Sequence, residues 1–445
     1  MTDNPETFRK TGSPGATGLL DQQVIAKETL REASVVIRNA AAAVYTPTFD
    51  KLGTTFLRYL FSGSSAPPSR LHDVLLNFSV DLHRHQLQLR DGGSADGNIF
   101  TSPFAIALAL AATHAGSRSE TASQLAQVLH LQDDLIDDVR KEFADMVLHL
   151  ADAAPDVKVH LANGVAVDRS VRTSADFKDL LESGYDGSVK ELDLRKNPQR
   201  SRTELNSWVE EKTKFQVADT LPLGVVTPST SVLLVNAMYL KGQWDSDFKS
   251  DYTSRKPFRE TRDKTSMVEM MFQRKNYKTA FCKTLDVNAL EIPYFGKKVS
   301  MVILLPQKVD GLATLEANLT ATNLQALLRR LCEDDDVELN LPKFKLEQSS
   351  SLRKVLESMG AQDLFTDRAD LAGFTDSKGV RVSEVVHKAV LEIGEEGAEG
   401  VFATPVIMMC YGGASFNFNV DHPFMFLIRS CNPDVILFMG SVRHL

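Results

Sequence analysis

At 445 residues, 43% of them hydrophobic and 24% charged, the chain can bury a large core and has the composition of an ordinary soluble globule. Its net charge of −8 argues against a general role on nucleic acid or on acidic membrane surfaces. Its longest apolar stretches, such as 104–115 and 231–240, are well short of a membrane span. The four cysteines, Cys282, Cys332, Cys410 and Cys431, have neither zinc spacing nor a disulfide framework, so free thiols are expected. No P-loop, HExxH or GxSxG pattern appears and the histidines are scattered, so no enzyme, metal site or cofactor is read from the chain.

Residues 1–70 differ from the rest and are read as an extension. Positions 1–17 are polar with Pro and Gly, a composition that favours disorder. Positions 19–45 have helical spacing (Val24, Leu30, Val35, Ile37) and an alanine run. The segment 62–70, SGSSAPPSR, reads as a linker. The start, MTDNPETFRK, lacks an apolar run behind a basic end, so it is not read as a secretory leader.

From Leu71 the pattern tightens into a domain expected to run over 71–445. Leu71, Leu75, Phe78 and Leu82 share one helical face, and His83 and His85, off that stripe, are read as solvated. The next helix starts near Pro103 and ends at Gly116, and Thr121 with Gln124 is read as a capping pair for the one after. Over 133–154 an amphipathic helix has Leu135, Val139, Phe143, Met146 and Leu150 in register, and its acids outnumber Arg140 and Lys141. The run 231–244, SVLLVNAMYLKGQW, reads as a central strand apolar on both faces, where Asn236 is costly unless hydrogen-bonded. Further strands are expected at 299–306, 337–344 and 434–440, and a short helix at 352–360. Asn77-Phe-Ser and Asn318-Leu-Thr are possible glycosylation sequons.

The most informative stretch is 385–428. A buried-strand pattern (Val385, Val386, Ala389, Val390, Leu391, Ile393) passes into acids and small residues, then into an apolar tail ending at Tyr411, then into a second strand over 423–428. A hydrophobic loop of roughly twenty residues between two strong strands is unusual in a compact domain. It makes sense if the segment is a strand in a second state of the molecule.

Four stretches carry a family resemblance: ELNSWVEEKT with Asn206, Trp208, Val209 and Thr213; the run 231–244; ADLAGFTDSKG at 369–379; and FNVDHPFMFLI at 418–428. With the loop, they resemble the serpins, serine protease inhibitors whose reactive loop inserts into their own sheet. The resemblance implies a single α+β serpin domain with three β-sheets, about nine helices and an exposed reactive-centre loop. It implies a suicide-substrate trap. A serine protease forms an acyl-enzyme with the loop, and the cleaved loop then enters the central sheet. Glu395, Glu396, Gly397, Ala398, Glu399, Gly400, Val401, Phe402 and Ala403 would form the hinge. Family spacing puts the reactive bond between Tyr411 and Gly412, approached by Met408, Met409 and Cys410, which suits a chymotrypsin-like protease. Ser102, Asn236 and His387 would meet behind the sheet as its shutter, with Trp244 at the breach where insertion begins.

The resemblance further implies a secreted monomer, and the acidic net charge implies no nucleic-acid or membrane partner; a cytoplasmic form is the alternative, given the start of the chain. The acidic helix near 140 speaks against heparin activation. Three departures bear on the reading. Phe215 stands where the family usually has glycine, so that turn is expected to differ. Phe402 is a large residue on the inward face of the inserted strand, at roughly 1–3 kcal/mol. Pro405 removes a ladder donor at about 1–3 kcal/mol more. Phe402 and Pro405 motivate the alternative of a non-inhibitory binding, carrier or chaperone protein.

Overall fold

The computed structural model describes residues 69–90, 97–132, 136–153, 156–395 and 415–445. The readings for residues 1–68 therefore lie outside the described residues, as do those for Leu135 and for 396–414. The first described helix, α1 (Arg70–Arg90), presents Leu71, Val74, Leu75, Phe78 and Leu82 to the main core. It also presents Leu76 and Val80 to a second core. This double burial overturns the reading of His83 as solvated: it is 3% exposed, with Nε2 3.2 Å from Ser441 Oγ and 3.4 Å from Glu316 Oε1. His85 is partly exposed against Ser358.

A short strand β1 (Ile99–Thr101) leads into α2 (Pro103–Ala115). Pro103 fills the first turn of α2 and Gly116 closes it, as the sequence predicts, and Ser102 adds a cap by accepting from Ala105 N. The expected cap of α3 (Ser119–Val128) is not formed. The helix starts three residues before that cap would place it, and its Thr121 and Gln124 side chains instead accept from Asp370 N and Asp363 N. They hold the 363–370 loop. Helix α4 (Ile136–Ala151) buries Val139, Phe143, Met146 and Leu150, as its spacing requires.

The remaining elements are β2 (Val157–Asp168), α5 (Ala175–Tyr185), β3 (Gly187–Leu192), α6 (Pro198–Lys212), β4 (Val232–Gly242), β5 (Ser254–Arg259), β6 (Thr265–Cys282), β7 (Val287–Pro293), β8 (Val299–Pro306), α7 (Leu312–Asn318), α8 (Ala321–Leu328), β9 (Cys332–Pro342), β10 (Phe344–Ser351), α9 (Arg353–Met359), β11 (Val382–Ile393), β12 (Phe416–Asn419), β13 (Phe424–Cys431) and β14 (Asp434–Val442). The strand expected over 337–344 is split: β9 ends at Pro342, and β10 opens after Lys343 in a different sheet.

Nine strands make one hydrogen-bonded sheet, β1-β14-β13-β8-β7-β6-β9-β12, with β5 on β6. The 18-residue β6 pairs β5 at its start and β7 at its end, and its register shifts against β9 between Lys275 and Tyr277. Two of the three expected sheets therefore run into one another along this strand. The other sheet has five strands, β10-β11-β4-β2-β3. At its centre β4 and β11 are paired in parallel, from Val232↔Val382 to Leu240↔Leu391. Both are almost wholly buried, which explains their near-continuous apolar sequences. One face of this sheet packs on the main core, and the other is covered by α6 and the segment after it through Leu205, Trp208, Val209, Val217, Leu221 and Val226.

Candidate functional site

The site grows from the β4/β11 seam. Asn236 and His387 are directly opposite in its register. His387 Nδ1 lies 2.8 Å from Asn236 Oδ1, and Ser102 N lies 3.0 Å from His387 Nε2. A backbone N–H can only donate, so Nε2 accepts and the ring proton sits on Nδ1, donated to Asn236. This fixes a neutral tautomer. Burial alone lowers the pKa of His387 from 6.5 to about 3, because a charged ring would be stranded without solvent.

Ser102 reaches the pair through its backbone, since its hydroxyl donates to Leu437 O at 2.7 Å and lies 3.1 Å from Met238 Sδ. Among the described residues Asn236 Nδ2 has no hydrogen-bond partner. A buried donor left unpaired costs about 1–3 kcal/mol. At its middle the seam thus has one well-directed side-chain hydrogen bond across it and carries an unmet donor.

At the far end of the seam, β11 gives way to Gly394, whose carbonyl accepts from Trp244 Nε1 at 2.9 Å. Trp244 is 2% exposed and stacks on Tyr294 with ring centroids 4.4 Å apart. That stack needs Gly242: a Cβ there would lie 2.5 Å from the Tyr294 ring. Glu395 then pairs with Lys343 at 2.8 Å. Burial opposes its ionisation, but the bond to Lys343 and the charge of that ammonium prevail and hold its pKa below the usual carboxylate value. The reciprocal bond to Glu395 raises Lys343. One residue pair further in, Glu392 bridges Lys241 on β4 (3.5 Å) and Lys345 on β10 (3.1 Å).

A strap crosses the outer face of the seam. Lys388 Nζ, on a residue 5% exposed, donates to Ala218 O at 2.6 Å and pairs with Glu347 at 2.6 Å, and Ser349 Oγ donates to Thr220 O at 2.9 Å. Asn206 accepts from Leu221 N and donates to Leu221 O, tying the strap to α6. The turn that begins this strap keeps the backbone glycine favours, contrary to the expectation that it would differ. Lys214 has φ +52° and Phe215 φ +62°. The Phe215 N–H still reaches Glu210 O at 2.6 Å, and its ring is 76% exposed. Helix closure therefore outweighs the strain of about 1–2 kcal/mol.

The structure brings Ser102, Asn236 and His387 to one place and sets Trp244 and Glu395 at one end of the same seam. The reactive-bond pair Tyr411 and Gly412, the residues Met408, Met409 and Cys410, and the hinge from Glu396 to Ala403 lie outside the described residues. Sequence reasoning missed the Trp244–Gly394, Lys343–Glu395 and Lys388–Ala218 contacts. Each joins residues far apart in the chain, and no local pattern marks it.

The family model described as serpin (serine protease inhibitor) matches residues 74–445. Among similar proteins, Iris of Ixodes ricinus is 46% identical over 382 residues, spanning 84% of this chain and 99% of its own length. The leukocyte elastase inhibitor of Sus scrofa is 34% identical over 371 residues, spanning 82% of this chain and 97% of its own. Among solved structures, human thyroxine-binding globulin superimposes with a TM-score of 0.76 at 26% identity, over 84% of this chain and 98% of its own. Serpin48 of Tenebrio molitor gives a TM-score of 0.75 at 26% identity, over 86% and 100%. The match along the whole of the compact domain, and relatives of such identity, establish that this chain belongs to the serpin family.

Proposed function

We propose that the protein inhibits a chymotrypsin-like serine protease as a suicide substrate, with the bond Tyr411–Gly412 as bait. The observation that carries this reading is the seam itself. Because β4 and β11 run in parallel, a segment that follows β11, turns back and enters between them is antiparallel to both. One parallel interface is then exchanged for two antiparallel ones, which are slightly stronger per residue. About ten added ladder bonds at roughly 1 kcal/mol each outweigh the cost of Phe402 and Pro405. The risk is kinetic: about 1.4 kcal/mol on the insertion barrier slows trapping tenfold while deacylation is unaffected. The elastase inhibitors among its relatives support protease inhibition.

A second reading, a binding protein that no longer inhibits, is favoured by Phe402 and Pro405 in the hinge sequence. One experiment separates the two. The protein is mixed with chymotrypsin, run on a denaturing gel, and any released C-terminal peptide is sequenced by mass spectrometry. Trapping gives a band at the summed mass and a peptide starting at Gly412. Clean cleavage without that band supports the binding protein.

A further inference from the structure

The two sequons occupy opposite structural settings. Asn77 lies in the middle of α1, its backbone helical throughout and its neighbours Leu76, Phe78, Ser79 and Val80 each at most 4% exposed. The Ser79 hydroxyl, which the transferase must engage, is fully buried and donates to Leu75 O. Asn77 itself is half-buried, its amide donating to Asp73 O at the surface, but helix α1 feeds two cores at once and holds Phe78 and Val80 inside them. Asn318 is the last residue of α7, and both it and Thr320 are exposed. The sequon leaves the helix at once: Leu319 has φ −69° and ψ 123°, and Thr320 φ −129° and ψ 157°. Leu319 is 2% exposed, and its carbonyl accepts from Arg84. The middle residue is thus pinned inward while the two reactive ones project outward.

We infer that Asn318 is an N-glycosylation site and that Asn77 is not. The donor is an oligosaccharide linked to a lipid diphosphate and delivered by a membrane transferase. The Asn318 amide nitrogen bonds to the anomeric carbon of the first sugar, the carbon–oxygen bond to the diphosphate breaks, and the lipid diphosphate leaves. One amide proton passes to a base of the transferase. The remaining N–H keeps its bond to Thr314 O, now 2.9 Å, so α7 ends as it does without the sugar.

The test is translation of the full chain with microsomes, with and without an added cleavable leader, and with entry scored by protease protection. The leader-bearing, protected chain gains the mass of one glycan. An N-glycan amidase removes it and leaves Asp in the peptide containing position 318. The gain is lost in Asn318→Gln and Thr320→Ala, kept in Thr320→Ser and unaffected in Asn77→Gln. Because Thr320 also caps α8 by accepting from Asn323 N, Asn318→Gln is the decisive variant. A protected chain bare at Asn318, or one carrying sugar at Asn77, overturns the inference. Failure of the leaderless chain to enter counts against extracellular action and leaves the Asn318 test intact.

Discussion

Acid should loosen the seam through one residue. His387 is neutral and enclosed in the folded protein with a pKa of about 3, against 6.5 for a free ring. The unfolded or opened chain therefore binds a proton that the closed seam refuses. Stability is fully present above about pH 6.5, falls as pH drops below it, and stops falling through this residue near pH 3. At about pH 5 the loss is 1.5 pH units at about 1.4 kcal/mol each, or roughly 2 kcal/mol, a thirtyfold rise in the open fraction. The measurement is urea unfolding of the wild type and of His387→Gln at about pH 7.5 and pH 5. Carboxylates elsewhere titrate equally in both proteins and cancel in the difference. That difference should shift by roughly 2 kcal/mol, with hydrogen exchange in β4 and β11 faster in the acidified wild type. A difference that does not change with pH would falsify the assignment of a neutral, sealed ring.

Three further outcomes are expected. Phe215→Gly releases the left-handed strain at the start of the strap and removes an exposed ring, so its urea midpoint should rise by about 0.5–1 kcal/mol of stability; a fall would mean the ring has a partner. Trp244→Phe keeps the stack on Tyr294 but loses the bond to Gly394 O, costing about 1 kcal/mol, and should speed capture of a synthetic peptide matching 398–409, read by native gel shift. Gly164→Ala puts a Cβ 2.5 Å from the Trp208 indole and should lift α6 off β2 at about 1–3 kcal/mol, seen as a red shift of tryptophan emission.

The sequence was legible wherever one short pattern had a single structural solution. Pro103 announced a helix start, and the run through Asn236 could only be a strand buried on both faces. His83 was misread because one stripe of α1 was weighed alone. Leu76 and Val80, beside it in the sequence, already widened the apolar arc past a single face. Thr121 and Gln124 fitted a capping pattern, yet a loop more than two hundred residues away competed for the same side chains and won. Phe215 shows the reverse: an unsuitable residue did not change the turn, because the Glu210 carbonyl still needed its donor. The tautomer of His387 was not legible at all. It depends on a backbone N–H presented by Ser102, 285 positions earlier.

The two ends of the segment 396–414 are fixed in different sheets. Before it, β11 is a central strand of the five-stranded sheet. After it, β12 is an edge strand of the other, four residues long, laid parallel to β9 from Phe416↔Val337 to Asn419↔Asn340. Those few ladder bonds, at roughly 1 kcal/mol each, with Phe418 buried for about 2 kcal/mol more, moor the far end. Asn340 Nδ2 to Asn419 Oδ1 (2.6 Å) and Ser415 Oγ to Glu338 (3.0 Å) add to the mooring. On the proposed mechanism, an uncut chain can complete the insertion only by peeling β12 away, and a protease removes that requirement with one cut. The unused molecule therefore has a working lifetime, set by how rarely four residues let go, and a change at Asn340, in a strand the loop never enters, would shorten it.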